Sequence, residues 1–299
     1  MATRFELLLW GDCDKTLRAA ADEAIAEISL WHRRLSYFER SSDISNINAH
    51  ASSAPVRLDA ELFSLLRKCN DCYELTRGAF DPAIGGLMRA AGFRGDRHDP
   101  QALVELVPRS GFGNVKLTAS DRTVGFMNHD VRLDLGAIGK GWAIDRAIDV
   151  LNDIGVPRAF IHGGTSSAAG FGAPTGSPWI VRVTKEEYGP VIQMYEGAIG
   201  VSASHGRIVD GRGHVLNPRT GECVEMDRLC LVAASSATEA DALSTGVLVD
   251  GIDADWFPDS CAALFRDSTQ GDSAWRDRGF PVILTDPGAC APRIAVDRR

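Results

Sequence analysis

The chain has 299 residues, of which 44% are hydrophobic and 24% charged, with a formal net charge of −8. That composition excludes wholesale disorder, collagen and coiled coil. The acidic balance argues against a nucleic-acid partner, which needs a basic footprint. No apolar run reaches the ~18 to 20 residues of a transmembrane helix, and the N-terminus lacks an h-region and cleavage site.

In chain order, Phe5 to Trp10 reads as a strand. From Leu17 onward, Ala21, Ala24, Ile25, Ile28, Trp31 and Leu35 recur at helical spacing. Ser41 to Asn46 reads as a loop by its polar composition. A helix is expected from about Glu61 to Thr76, ended by Arg77-Gly78. Its stripe Leu62, Leu65, Leu66, Cys69, Cys72 and Tyr73 turns the CxxC toward a core. The seven cysteines are irregularly spaced, which favours reduced thiols over a disulfide framework.

Beyond Asp81-Pro82, Gly85-Gly86 reads as a turn. Val115 to Thr118 and Thr123 to Phe126 suggest a hairpin. Val131 to Leu135 reads as a strand running into a glycine-rich turn and a helix carrying Ile144, Ala147, Ile148 and Leu151. Further strands are expected at Ala159–Ile161, Trp179–Val183, Ala198–Val201, Leu229–Ala234, Ala262–Phe265 and Val282–Leu284, with a helix from about Glu239. Hairpins outnumber regular βαβ units, so the expected class is α+β with mixed, mostly antiparallel sheets and packed helices. No linker divides the chain, so residues 1–299 read as one domain, with two intimately packed subdomains as the variant.

Three stretches carry chemistry. In Asp134 to Asp145, strand, glycine turn, Lys140 and helix start form a recipe for holding phosphate. The spacing fits neither a Walker A loop nor GxGxxG, and tight packing explains the glycines equally well. In Thr238 to Thr245, Asp241 and Thr245 lie i, i+4 on one helix face, as hard oxygen ligands for Mg²⁺ would. A capping box at Thr238-x-x-Asp241, which would make Asp241 purely structural, is the reading this stretch favours when taken alone. In Gly213 to Gly221, His214 precedes an Asn217-Pro218 turn and has the chemistry of a general base, although a surface or structurally satisfied histidine is the commoner explanation for a single His; Arg219 suits a phosphate or a carboxylate.

Together these segments resemble the ApbE family of FAD:protein FMN transferases. The resemblance spans about residues 1–266 and rests on seven segments in order. They are Met1–Glu6, Leu35–Phe38 with Ser42–Asn48, Gly78–Pro82, Asp134–Asp145, Gly163-Gly164, His214–Gly221 and Ala240–Thr245. It implies an ApbE-like, T-fold-related architecture and a Mg²⁺-dependent enzyme. Such an enzyme splits FAD, releases AMP and joins FMN through its phosphate to a Thr or Ser of an acceptor protein. By position it implies metal binding at the Ala143 carbonyl, Asp241 and Thr245. It implies flavin contacts at Phe38, Ala79, Phe80, Asp81, Lys140, Arg146 and Val215, and a catalytic His214. The chain departs from the family pattern at Asn217, at Ser202–His205 and at Thr165. An FAD pyrophosphatase and a catalytically weakened FAD-binding or assembly module are the alternative readings. With no lipobox cysteine or signal, a cytoplasmic protein without a membrane anchor is expected.

Overall fold

Alanines open the long first helix to close packing. Ala20, Ala24, Ile28 and Trp31 form its buried stripe, and the Trp31 ring meets Trp142 edge-on at 5.5 Å. The structure, a computed structural model, describes residues 3–280 except 175–176, 184–189, 207 and 269–273, together with the backbone at 293–294.

The helices are α1 (Asp14–Arg34), α2 (Asp43–His50), α3 (Ala60–Leu75), α4 (Gly85–Ala90), α5 (Pro100–Leu106), α6 (Gly139–Ile154) and α7 (Ala237–Asp250). The strands in the first half are β1 (Phe5–Trp10), β2 (Val56–Arg57), β3 (Val115–Thr118), β4 (Thr123–Phe126), β5 (Arg158–Gly163) and β6 (Ser167–Phe171). Those in the second half are β7 (Trp179–Arg182), β8 (Val191–Met194), β9 (Gly197–Ala203), β10 (Ile208–Val209), β11 (Arg212–Gly213), β12 (Arg228–Ala234), β13 (Ala262–Asp267), β14 (Arg276–Arg278) and β15 (Arg293–Ile294).

A seven-stranded sheet in the order β1-β5-β6-β9-β12-β13-β14 organises the molecule, and every neighbouring pair in it is antiparallel. Side chains alternate between its faces. On β12, Cys230, Val232 and Ala234 pack with Leu243 and Val247 of α7. Leu231 and Ala233 turn the other way, onto Trp179, Ile192 and Met194 of the small β7–β8 sheet. A helical layer thus covers one face and a second sheet part of the other, the α+β class with antiparallel sheet.

The hairpin forms as expected, with Thr118 paired to Thr123 and Arg122 at φ 54°. Cys69 and Cys72 are buried on α3, and burial pushes the Cys72 thiol up to about 12. Four local expectations are corrected. The Ser41–Asn46 segment is not a loop: Ser42 caps α2 by accepting from Ser45 N, and Ile44 and Ile47 bury one face. Gly85-Gly86 opens helix α4 rather than making a turn. A Cβ there would lie 2.9 and 2.8 Å from the Arg132 and Asp130 carbonyl oxygens, so the glycines permit a close backbone approach. Val131–Leu135 pairs only through a bridge of Arg132 to Ile84, and a short 3-10 helix occupies Leu135–Ala137. Ile25, expected on the apolar stripe of α1, is 47% exposed. The expected strand Val282–Leu284 lies outside the described residues.

Candidate active site

The glycine turn and α7 meet where two helix starts cap one another. Asp241 of α7 accepts Gly141 N of α6 at 2.7 Å on one oxygen and the Ser167 hydroxyl at 2.7 Å on the other. In return, Asp145 of α6 accepts Ala237 N and Thr238 N at the start of α7, each at 2.8 Å, and the Thr238 hydroxyl at 2.5 Å. Each carboxylate therefore satisfies amides that its neighbour's first turn leaves open. Ser236, not Thr238, is the N-cap of α7, so the capping-box reading of Asp241 does not hold. The helices come this close because position 141 is glycine: a Cβ there would lie 2.1 Å from the Ala237 carbonyl oxygen.

The glycines of the turn divide between the two expectations. Gly139 and Gly141 serve packing, against Leu35 and Ala237, while Gly136 is exposed and lines a cavity. Before them, Asp134 accepts Gly136 N on one oxygen and Arg94 Nε at 2.7 Å on the other. This Arg94–Asp134 pair is largely buried and sits at 5.5 and 5.7 Å from the Tyr37 and Phe38 rings.

A cavity of about 770 Å³ opens over this junction. Of the expected site residues, Ala79, Phe80, Asp81, Lys140, His214, Val215, Asp241 and Thr245 all line it, although the sequence separates them by up to 166 positions, from 79 to 245. Three do not. Phe38 stands 67% exposed beside Arg94, which does line the cavity. Arg146 pairs with Asp149 and stacks its guanidinium on Trp142 at 4.7 Å. Ala143 is buried within α6, and its side chain belongs to the main core.

Burial raises the Asp241 carboxyl to about 6; the nearby Lys140 charge and the two donors oppose that rise. Thr245 Oγ1 lies 3.1 Å from Ser202 Oγ, which in turn lies 2.8 Å from Ser244 Oγ. Ser244 and Thr245 also donate to the Asp241 backbone carbonyl, at 3.0 and 3.2 Å, while Ser167 is the hydroxyl on its carboxylate. Elsewhere on the cavity lining, the Asp81 carboxyl is raised to about 7 by burial and held by Ala83 N at 2.7 Å and Phe112 N at 3.1 Å. It ties two loops together. Gly206 packs against His214, where a Cβ would lie 3.4 Å from Cε1. Asn217 Oδ1 accepts Arg219 N at 3.0 Å and shapes the turn, and Arg219 pairs with Asp250, the carboxylate alternative of its two expected roles.

Thr165 and His205, two of the positions where the chain departs from the family pattern, line the cavity as well, and so do Arg94 and Ser166, which no motif assigned there. Arg94 lies in no motif. Its one signal is the carboxylate it pairs with, 40 positions away.

The ApbE family model matches residues 1–262. A curated relative from Treponema pallidum, named FAD:protein FMN transferase, is 29% identical over 83% of this chain and 74% of its own length. One of the same name from Vibrio cholerae is 26% identical over 79% of this chain and 74% of its own. The crystal structure of the ApbE protein from Thermotoga maritima aligns with a TM-score of 0.79 at 26% identity, covering 91% of this chain and 96% of that one. The flavin transferase ApbE from Vibrio cholerae aligns at 0.77 with 21% identity, over 93% and 94%, which speaks for the fold. A family match over most of the sequence, together with this shared fold, makes the chain a member of the ApbE family.

Proposed function

We propose that this ApbE-family enzyme transfers FMN from FAD to a Thr or Ser hydroxyl of an acceptor protein, with Mg²⁺ as cofactor and AMP as the leaving group. One observation carries the reading: a buried carboxylate held by a backbone amide and the Ser167 hydroxyl shares one cavity with the Ser202 and Thr245 hydroxyls, a lysine and a histidine.

The donor set suits a hard cation. Asp241 uses two of the roughly four acceptor positions of a carboxylate on Gly141 and Ser167, which leaves others for a ligand. Among the described residues no cluster of three His, Cys, Asp or Glu exists. That accords with Mg²⁺, which is commonly held by one or two carboxylates and completes its shell with water and phosphate oxygens. Asp241, Thr245 and the Ala143 carbonyl would hold it. Bound there, it would offset negative charge on the FAD pyrophosphate.

The chain's own residues supply the rest. Lys140, at the start of α6, pairs with a phosphate. Phe38 presents an exposed ring for stacking a flat heterocycle, and Ala79, Phe80, Asp81 and Val215 shape the wall. Arg146 holds the outer side of α6 through Trp142 and Asp149. An acceptor hydroxyl is a weak nucleophile, and the His214 imidazole takes its proton as oxygen attacks phosphorus.

The test is incubation with FAD, Mg²⁺ and a Thr-containing acceptor, followed by intact-mass analysis. Gain of one FMN less water on the acceptor, with equimolar AMP, is expected. AMP and free FMN with an unmodified acceptor would make the protein a pyrophosphatase. Bound but intact FAD would make it a binding module.

A further inference from the structure

The β5–β6 turn brings a hydroxyl of this chain into the cavity where the acceptor hydroxyl is expected. Gly163 ends β5, Ser167 begins β6, and Gly164 between them takes φ 66°. The turn is held on three sides. Gly164 N donates to the Arg4 carbonyl at 3.0 Å, Val201 N donates to the Ser166 carbonyl at 2.6 Å, and Ser167 Oγ donates to Asp241 at 2.7 Å. Thr165 is thereby fixed two residues from a side chain bonded to Asp241. At ~3.8 Å per Cα step, that is within about 8 Å of Ser167 along the chain.

Among the described residues, four hydroxyl side chains line the cavity: Thr165, Ser166, Ser202 and Thr245. Three are engaged. Ser166 lies 3.5 Å from Ser167, Ser202 bonds Ser244 and Thr245, and Thr245 also donates to the Asp241 carbonyl at 3.2 Å. Thr165 is exposed and makes no hydrogen bond among the described residues. Of these four hydroxyls it is the one that gives up no hydrogen bond by reacting. His214 lines the same cavity.

We propose that Thr165 is an acceptor in cis, so that the enzyme flavinylates itself when no acceptor protein is present. The inference rests on the transfer reading above. Thr165 Oγ1 attacks the FMN phosphorus of FAD and an Oγ1–P ester bond forms. The bond from that phosphorus to the bridging pyrophosphate oxygen breaks, and AMP departs with the bond's electron pair. The hydroxyl proton passes to His214. No redox change occurs, and the product is a phosphothreonyl flavin inside the enzyme's own cavity. The adduct occupies the site that made it, so the reaction stops at one flavin per chain.

The experiment is incubation of the full chain with FAD and Mg²⁺ in two arms, with and without an acceptor protein. Intact mass, flavin fluorescence after denaturation, and peptide mapping are the readouts. Without acceptor, we expect a gain of one FMN less water on the peptide holding Thr165. The rate per chain should be independent of protein concentration, as an intramolecular step requires. Thr165→Val, which keeps the shape and removes the hydroxyl, loses the adduct, and Thr165→Ser keeps it. An unmodified chain in both arms alongside a flavinylated acceptor would overturn the proposal and leave the transfer reading standing. So would an adduct mapped to another residue, or a rate per chain that rises with protein concentration. If neither chain nor acceptor is flavinylated, the transfer reading falls and takes this inference with it.

Discussion

The two walls of the cavity are built in opposite ways. On one, Asp241 lies fully inside the α6–α7 junction, and the bonds that present it also cap a helix. On the other, His214 is half-buried on a short segment between β11 and the Leu216–Cys223 bridge, outside any helix. A residue on the first wall carries fold and chemistry together. On the second, we expect the side chain to carry chemistry with less of the fold resting on it. Variants should therefore separate: stability and activity fall together at the junction and come apart at the turn.

Gly141→Ala should have the largest effect. Its Cβ would sit 2.1 Å from the Ala237 backbone oxygen, and neither helix can withdraw without breaking both reciprocal caps. A loss of about 3 kcal/mol or more in denaturant unfolding is expected. An unchanged midpoint would dissolve the contrast between the walls.

Asp241→Ala comes next. It strands the Gly141 amide and the Ser167 hydroxyl, at a cost of about 1–3 kcal/mol, and should also abolish transfer. His214→Ala should slow transfer by ~10²–10⁴-fold, the usual worth of a general base. Its unfolding midpoint should stay near wild type, and transfer at the wild-type rate would assign the base elsewhere.

Asp81 gives a pH-dependent test. Its carboxyl is raised from 3.8 to about 7 by burial, so the native state holds a proton that the unfolded chain has already lost. The stability this contributes is fully present below pH ~4 and is lost as pH rises through about 7. The three-unit rise corresponds to at most about 4 kcal/mol. Asp81→Asn keeps an acceptor for Phe112 N and Ala83 N and should flatten the stability profile across that window. Asp145 and Asp241, also raised by burial, leave a residual slope of the same sign. Lys140→Ala should have the smallest structural effect, since its ammonium makes one long contact of 3.5 Å to the Gly136 carbonyl. It should weaken FAD binding more than riboflavin binding in parallel titrations, and equal weakening would remove its phosphate role.

The same contrast explains what the sequence made legible. Helical periodicity located α1, α3 and α6, because each buries one stripe, whereas α7 is buried nearly all round and carries no such stripe. The motifs brought eight expected side chains to one cavity, because each motif is a few contiguous residues. What stayed hidden depends on partners far along the chain. Asp241 bonds Gly141 across 100 positions, and Arg94 bonds Asp134 across 40, so no local pattern announces either pair. Helix α2 was hidden for a different reason: its Ser, Asn and Asp content reads as loop, although Ser42 is a cap and Ile44 and Ile47 are buried anchors. Gly85-Gly86 read as a turn because a glycine needed for close approach looks the same in sequence as one needed for a bend.

The most direct measurement compares wild type with Asp241→Asn, which keeps the shape and an oxygen acceptor while removing the charge. Both proteins, at equal folded fraction, would be titrated with Mg²⁺ in the presence of FAD and acceptor, and FMN on the acceptor read by intact mass. The account predicts Mg²⁺-dependent flavinylation by wild type and an unmodified acceptor with Asp241→Asn at every Mg²⁺ concentration. Flavinylation by Asp241→Asn at the wild-type rate and with the same Mg²⁺ dependence would contradict it.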